Sequence, residues 1–198
     1  MAPDAAAAAA VADPFLRSLF DRALLRGEFT LRSGATSDRY FDKYRVTCDP
    51  QLLGPVAARL ANLLCDVEPH ADRIVAPELG AVPLAAAIAL APEGDLPFAI
   101  VRGAAKGYGT ANRIEGQTIP GEVAVLVEDV VTSGSAALEA LAVARDAGLV
   151  VRHALCVLDR DGGGREALAE VGVELHALLG ARDLDAAVDA GLGREVHT

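Results

Sequence analysis

The chain has 198 residues, of which 52% are hydrophobic and 4% aromatic, and it carries a formal net charge of −10. This length suits one domain with a sizeable core, and hydrophobicity that comes mainly from alanine, valine and leucine is typical of an α/β protein. The acidic charge and the lack of any Lys- and Arg-rich cluster argue against a nucleic-acid surface, and no apolar run is long enough to span a membrane.

The first residues, 1–12, form an alanine-rich stretch without amphipathic period, which predicts a disordered tail ahead of a single domain over residues 13–198. This stretch lacks the basic and apolar regions of a signal peptide, so we expect a cytoplasmic protein. A reducing compartment also agrees with Cys48, Cys65 and Cys156, which are odd in number, widely spaced and predicted to be free thiols.

The segment of about residues 13–49 begins with a helix pattern and continues with strand patterns. Asp13 is a good N-cap, the proline after it suits a first turn, and apolar residues keep a helical period as far as Gly27. Phe29–Gly34 then predicts a short strand and turn, and the aromatic and charged alternation of Arg39–Arg45 predicts an antiparallel strand. We therefore expect a small β-rich hood at the N-terminus.

From about residue 50 to 198 the chain alternates between strand and helix patterns. The predicted helices are 50–65, 82–90, 136–147, 165–171 and one from 183, and the predicted strands are 73–76, 98–102, 123–127, 151–158 and 173–179. This alternation predicts a central, mostly parallel sheet flanked by helices, with ligands bound where the strands end. The histidines show no metal-ligand spacing, and we expect structural roles for His153 and His176, which lie in apolar segments.

A long polar stretch, residues 103–117, interrupts this alternation. It contains several glycines and has no clear period. Because loops of this length in a compact domain are usually functional or disordered, we predict a mobile lid. The stretch includes Lys106, one of only two lysines in the chain, which makes this residue a candidate for a special role.

The candidate site lies at the end of the strand predicted at 123–127. Glu128 and Asp129 follow that strand directly, and Thr132–Ser135 then form a hydroxyl-rich loop before a helix. The hydroxyls and backbone N–H groups of such a loop suit a phosphate, whereas the carboxylates suit sugar hydroxyls or a hydrated Mg²⁺. A ribose 5-phosphate carries both kinds of group side by side. Residues of these types also cap helices and form turns, so the generic pattern alone is compatible with an ordinary strand–helix junction.

The same residues also resemble a known signature. Residues 123–135 look like the phosphoribosyl-diphosphate (PRPP) binding motif of type I phosphoribosyltransferases, and with further motifs the chain from Phe15 onward resembles the orotate phosphoribosyltransferases. The further motifs are Phe29–Gly34 with Tyr40–Asp42, Gly80–Ala85, the set Arg102, Lys106–Gly109 and Ile114–Gly116, and Asp159–Arg160 with Gly162–Gly164. The resemblance implies the type I phosphoribosyltransferase fold. It also implies an enzyme of pyrimidine biosynthesis that transfers the phosphoribosyl group of PRPP to orotate, giving orotidine 5′-monophosphate and pyrophosphate.

The resemblance further implies a role for each matching position. Catalysis would fall to Lys106, Glu128 and Asp129, with Lys106 reaching the pyrophosphate in the neighbouring subunit's site of a homodimer. PRPP would be bound by Arg102, Lys106, Tyr108, Glu128, Asp129, Val131, Thr132, Ser133, Gly134 and Ser135. The base would be bound by Arg32, Phe41, Thr132 and Arg160, the last of which suits a bidentate contact with the orotate carboxylate. The implied cofactor is Mg²⁺, held through the substrate, with Asp129 as the candidate protein ligand.

The chain departs from the family pattern at several positions near the site. Leu79, Gly103 and Arg32 stand where lysine is common, and Tyr108 stands where histidine is common. The cations that could replace the missing lysine contacts with the pyrophosphate-bearing ligand are Arg39, Lys43, Arg45 and Arg113. These departures weaken the expectation that the base is orotate more than the expectation that the chain binds PRPP. Two alternatives therefore stay open, a phosphoribosyltransferase for a different base and a non-catalytic relative that senses PRPP or a nucleotide.

Overall fold

The computed structural model describes residues 11–30, 34, 36–103 and 113–196 as an α/β structure with two sheets. The helices are α1 (Pro14–Ala23), α2 (Lys43–Thr47), α3 (Pro50–Val67), α4 (Ala81–Ala89), α5 (Ser135–Asp146), α6 (Gly164–Glu170) and α7 (Ala181–Asp189). The strands are β1 (Leu24–Thr30), β2 (Thr36–Phe41), β3 (Arg73–Pro77), β4 (Phe98–Val101), β5 (Ile114–Glu115), β6 (Val123–Val131), β7 (Val150–Asp159), β8 (Glu174–Leu179) and β9 (Arg194–Glu195).

The chain divides into two compact units. We call Leu53–Leu178 the central unit, and Met1–Leu52 together with Leu179–Thr198 the terminal unit. The C-terminal residues therefore group with the N-terminal ones, which the sequence did not indicate. Of the predicted tail, residues 1–10 lie outside the described residues, and residues 11 and 12 are helical.

The terminal unit contains a three-stranded sheet in the order β2-β1-β9, with β1 antiparallel to β2 and parallel to β9. Helix α1 begins as predicted, because the Asp13 carboxylate accepts hydrogen bonds from the N–H groups of Phe15 (2.7 Å) and Leu16 (3.2 Å). Its predicted end at Gly27 is wrong. The helix stops at Ala23 because Leu24, which is buried, pairs instead with the second strand of the sheet.

The antiparallel strand predicted over Arg39–Arg45 instead spans Thr36–Phe41, so it begins and ends earlier than expected. The Asp42 carboxylate accepts hydrogen bonds from the N–H groups of Tyr44 (3.1 Å) and Arg45 (3.4 Å), so it caps α2 at this point. A capping aspartate thus converts the charged half of the predicted strand into a short helix. Strand β9 was not predicted, since two exposed residues carry no strand period.

The central unit is built on a six-stranded sheet in the order β5-β4-β3-β6-β7-β8. Strands β4, β3, β6 and β7 are mutually parallel, and β5 runs antiparallel to β4. Buried apolar side chains of the sheet form one cluster with those of α5 and α6, including Leu126, Leu141 and Leu168. The prediction of a mostly parallel sheet flanked by helices is confirmed.

The parallel strands end together at one edge of this sheet. Pro77 is paired with Val101, and Val131 is paired with Asp159, so the loops that follow β3, β4, β6 and β7 start from the same edge. Strand β6 extends beyond its predicted end and includes Glu128 and the residues after it as far as Val131. The extension is possible because β7 is equally long and supplies a partner for these residues.

None of the helices in the described part of the chain has the length and apolar character to cross a membrane.

Candidate active site

The hydroxyl-rich loop after β6 is exposed and leads directly into helix α5. Thr132, Ser133 and Ser135 are solvent-exposed, and the hydroxyls of the two serines are 3.4 Å apart. Gly134 adopts a left-handed conformation (φ 76°), and its carbonyl accepts the first helical hydrogen bond, from Leu138 N–H (2.8 Å). Hydroxyls and N–H groups at the positive end of a helix can bind a phosphate, as the sequence predicts.

Two buried carboxylates precede this loop within the same strand. Glu128 is 7% exposed and Asp129 is 2% exposed. Glu128 Oε1 accepts a hydrogen bond from the N–H of Asp129 (3.1 Å), and Asp129 Oδ1 accepts one from the N–H of Val130 (2.6 Å). The carboxylates are therefore held close to the backbone at the sheet edge, three to four residues before the hydroxyl-rich loop. Oxygen atoms in this position can accept hydrogen bonds from the hydroxyls of a bound sugar.

The loop after β7 packs directly against the loop after β6, which the sequence did not reveal. Gly164 N–H donates to the carbonyl of Thr132 (2.8 Å), and Arg160 N–H donates to the carbonyl of Val131 (2.9 Å). A Cβ atom on Gly164 would lie 2.5 Å from Val131 Cγ1 and 2.7 Å from Thr132 O, and one on Gly162 would lie 2.6 Å from Thr132 Cγ2. Gly162 and Gly164 are therefore required for the loop after β7 to pack against the hydroxyl-rich loop after β6.

A buried carboxylate, paired with an exposed arginine, holds the loop after β7 in shape. Asp159 is 1% exposed, and its Oδ1 accepts a hydrogen bond from Asp161 N–H (3.0 Å). Its Oδ2 contacts the Arg165 guanidinium at 2.9 Å. Both oxygens of the Asp159 carboxylate are thus occupied by contacts within the loop and the helix that follows it. Arg160, the predicted base-binding residue, is half-buried and follows it at the edge where β6 also ends.

On the other side of β6, the residues after β4 are held by a network of hydrogen bonds. Glu78 Oε1 accepts from the N–H of Gly103 (2.8 Å). The Arg113 guanidinium donates to the carbonyls of Arg102 (3.0 Å) and Gly103 (3.1 Å) and to the carboxylate of Glu139 on α5. Arg102, the predicted pyrophosphate ligand, is half-buried, with its Nη1 4.0 Å from Glu115 Oε1.

The predicted substitute cations contact groups of the protein itself. Arg113 holds the two carbonyls and Glu139 just described. Within the terminal unit, Arg39 contacts the carboxylates of Asp38 and Asp185, and Arg45 contacts Asp42. The charge of an arginine can be read from a sequence, but the partner that neutralises it cannot. Lys43 lies with its Nζ 5.5 Å from the centre of the Tyr44 ring.

The central unit brings together most of the predicted site residues at one edge of its sheet. These are Arg102, Glu128, Asp129, Val131, Thr132, Ser133, Gly134, Ser135 and Arg160. Phe41, predicted to contact the base, belongs to the terminal unit, where it is buried on β2. Arg32, Lys106 and Tyr108 lie outside the described residues, so the roles assigned to them stay predictions, as does the lid.

The cysteines agree with their predicted state as free thiols. Cys156 is buried on β7, and burial, together with the nearby Asp159 carboxylate, raises the pKa of its thiol. A thiol that stays protonated is a poor nucleophile and a poor metal ligand. Cys156 therefore contributes to packing rather than to chemistry.

Comparison with known proteins identifies the family. The chain is 48% identical over 158 residues to the orotate phosphoribosyltransferase of Halobacterium salinarum, covering 80% of this chain and 87% of the relative. Among solved structures, it is similar to the orotate phosphoribosyltransferase of Mycobacterium tuberculosis H37Rv in complex with Fe(III) dicitrate, with a TM-score of 0.77 and 30% identity over 86% of this chain and 96% of that one.

The complex of the same Mycobacterium tuberculosis enzyme with PRPP is also similar, with a TM-score of 0.72 and 29% identity over 84% of this chain and 94% of that one. No protein-family model matches the chain. The type I phosphoribosyltransferase fold expected from the sequence is confirmed by these structures. The sheet edge, its two loops and these relatives together show that the chain belongs to the orotate phosphoribosyltransferase family.

Proposed function

We propose that the chain transfers the 5-phosphoribosyl group of PRPP to orotate, forming orotidine 5′-monophosphate and pyrophosphate in pyrimidine nucleotide biosynthesis. One observation carries the proposal, the exposed hydroxyl-rich loop at the start of α5 with two buried carboxylates three to four residues before it. A phosphorylated pentose needs both features, because its phosphate requires N–H and O–H donors and its hydroxyls require acceptors.

The carboxylates also fit the expected cofactor. Mg²⁺ is a hard cation that is bound through oxygen atoms, and it usually keeps several waters and takes its remaining ligands from one or two carboxylates and substrate phosphates. Asp129, with Glu128 beside it, offers such oxygens at the edge where PRPP would lie. When bound, the ion would neutralise part of the charge of the pyrophosphate leaving group.

The chain's own residues would act on both sides of the reacting bond. Displacement at the anomeric carbon develops positive charge on the sugar and negative charge on the departing pyrophosphate. Lys106 and Arg102 are suited to the negative charge, since cations aimed at a charge that grows in the transition state accelerate the reaction. Glu128 and Asp129 would orient the ribose through its hydroxyls. Arg160 would hold the orotate carboxylate with two parallel hydrogen bonds.

The proposal includes a homodimer with shared active sites. Its support is the likeness of the segment that contains Lys106 to the family's pattern, in which the lysine serves the neighbouring subunit. A monomer would lack this lysine in its site. The proposal therefore predicts that both the quaternary structure and the activity depend on a second copy of the chain.

The experiment that tests the function is a panel of bases with PRPP and Mg²⁺, in which pyrophosphate release is measured for orotate, uracil, xanthine, hypoxanthine and adenine. We expect release with orotate alone. Uracil is the sharpest comparison, because it lacks only the carboxylate that Arg160 would hold. The variant Arg160→Lys should lower kcat/KM for orotate while PRPP affinity is kept, since a lysine cannot make the bidentate contact.

Two outcomes would contradict the proposal. Release with another base, but not with orotate, would assign the chain to a phosphoribosyltransferase of different specificity. PRPP binding without release for any base would indicate a sensing protein rather than an enzyme.

A further inference from the structure

Two histidines and a glutamate come together on strands β7 and β8, away from the candidate active site. Nδ1 of His153 lies 3.1 Å from Nε2 of His176, and Oε2 of Glu174 lies 3.9 Å from the same Nε2. The three ligand atoms are all within 4.8 Å of one another. His153 and His176 are partly exposed and Glu174 is exposed, so an ion in solution can reach them. The sequence hid this cluster, because the two histidines are 23 residues apart and meet only across neighbouring strands.

The distance between the two ring nitrogens matches shared ligation of a metal ion. Zinc binds imidazole nitrogen at about 2.0–2.1 Å, so two nitrogens 3.1 Å apart would subtend an angle of about 100° at the ion. That value falls between the about 90° of an octahedron and the about 109° of a tetrahedron. Glu174 would have to move closer by about 1 Å to reach a bonding distance, which is easy for a side chain that is 70% exposed.

The same geometry could be an ordinary hydrogen bond in which one ring donates to the other, so the surroundings must decide. The Glu174 carboxylate beside the pair adds nothing to a hydrogen bond between the rings, whereas for a cation it supplies a third ligand and a compensating negative charge. The charge of Arg165 is balanced by the Asp159 carboxylate at 2.9 Å, which reduces its repulsion of an ion.

The geometry points to a zinc-class divalent metal site formed by His153 Nδ1, His176 Nε2 and the Glu174 carboxylate, with water completing the coordination. Two imidazoles select zinc and its transition-metal neighbours over Mg²⁺, which prefers oxygen ligands. The site is structural rather than catalytic, since His153 precedes Asp159 by six residues and is therefore about 20 Å from the candidate active site along β7. A bound ion would link the edge strand β8 to its neighbour β7 and stabilise this edge of the sheet.

The test uses the full chain without a histidine tag, in the background Cys48→Ser/Cys65→Ser, which removes the two exposed thiols as competing ligands. Zn²⁺ binding is measured by titration calorimetry and by thermal unfolding. We expect one ion per chain and a rise in Tm with Zn²⁺ but not with Mg²⁺, because an ion that binds only the folded state stabilises it. The variant His176→Ala should weaken binding at least as much as loss of an outer-shell partner, about 10- to 100-fold.

The matched control is His70→Ala, which removes an exposed histidine outside the cluster and should leave Zn²⁺ affinity unchanged. Equal Zn²⁺ affinity in His176→Ala and the unmodified protein would overturn the proposal, as would a Tm that does not respond to Zn²⁺. If His176→Ala does not fold, Cu²⁺ is bound to the unmodified protein and its coupling to ligand nitrogens is measured by electron paramagnetic resonance. Coupling to two nitrogens supports the site, and coupling to one or none refutes it.

Discussion

Asp129 is the residue at which the chemistry of the candidate site can be tested most directly. The substitution Asp129→Asn keeps the size of this buried side chain and removes its charge. A hydrogen bond to a charged group contributes about 1.5–3 kcal/mol, so we expect kcat/KM for PRPP to fall by about 10- to 100-fold. Steady-state kinetics at saturating orotate, with Tm recorded for each protein, would measure this.

The control for this prediction is Asp146→Asn, the same change at an exposed position at the far end of α5. It should leave kcat/KM unaltered. Full activity in Asp129→Asn would remove this carboxylate from the binding of the ribose and of Mg²⁺.

Arg113 shows how far single residues could be interpreted from the sequence. It was one of the cations that could substitute for the missing lysines, yet its guanidinium binds the carbonyls of Arg102 and Gly103 and the carboxylate of Glu139. Hydrogen-bond partners depend on which backbone atoms the fold brings near, and that information is not local. The position of Glu128 and Asp129 at the sheet edge could be predicted, because the strand and the hydroxyl-rich loop that define this edge are their neighbours along the chain.

At the scale of elements, the contact between the loops after β6 and β7 can be tested by replacing a glycine within it. The same substitution at an exposed helical glycine should have the opposite effect on stability. Gly164→Ala would drive a methyl group to 2.5 Å from Val131 Cγ1 and 2.9 Å from Gly134 N. Overpacking of this kind costs about 1–3 kcal/mol, and here the hydroxyl-rich loop, the proposed phosphate site, must move. We therefore expect a lower free energy of unfolding together with a raised KM for PRPP, measured by urea denaturation and kinetics.

The matched control is Gly54→Ala in helix α3, where a Cβ atom meets nothing within 4 Å. In an exposed helical position alanine is favoured over glycine by about 0.5–1 kcal/mol, so this variant should be more stable with unchanged kinetics. A Gly164→Ala protein with unchanged KM for PRPP would show that the two loops do not depend on each other.

The order of the elements was predictable, whereas several of their ends were not. The alternation of strand and helix patterns after residue 50 was sufficient to predict the parallel sheet, since a strand buried on both faces is a short, near-continuous apolar run that differs from a helical period. The end of β6 depends on β7, which supplies partners as far as Val131, and the end of α1 depends on the pairing of Leu24 with Phe41. Ends that tertiary pairing decides cannot be found in a local pattern.

For the molecule as a whole, one largely buried ion pair makes stability depend on pH. The Arg73 side chain hydrogen-bonds Glu122 at 2.8 and 3.0 Å, and these side chains are 7% and 14% exposed. The hydrogen bond from Arg73 lowers the pKa of Glu122 below its usual 4.5, burial opposes this shift, and the N–H of Ile119 adds to the lowering. The folded state therefore binds the proton less tightly than the unfolded state.

From this shift we predict that Glu122→Gln lowers the free energy of unfolding by about 1 kcal/mol at neutral pH. Because the folded pKa is the lower one, the difference from wild type should be complete above pH 4.5 and should disappear as the pH falls through the folded value. Urea denaturation across this range measures it, with the exposed Glu170→Gln as control, expected within about 0.5 kcal/mol of wild type. A difference that grows on acidification would contradict the prediction.

The proposed homodimer predicts that two variants of low activity give a more active protein when their subunits mix. Lys106→Ala alone should lower turnover by about 10²- to 10³-fold with little change in PRPP affinity, because the leaving-group charge develops only in the transition state. Coexpression of Lys106→Ala with Asp129→Asn gives half of the dimers as hybrids, and each hybrid has one site with an intact Asp129 and an intact Lys106 from the partner. About a quarter of wild-type activity should then return, as expected for random pairing of two subunits in a symmetric dimer. If Lys106 instead serves its own subunit, no hybrid site is intact, and the activity of the mixture stays as low as that of the two single variants.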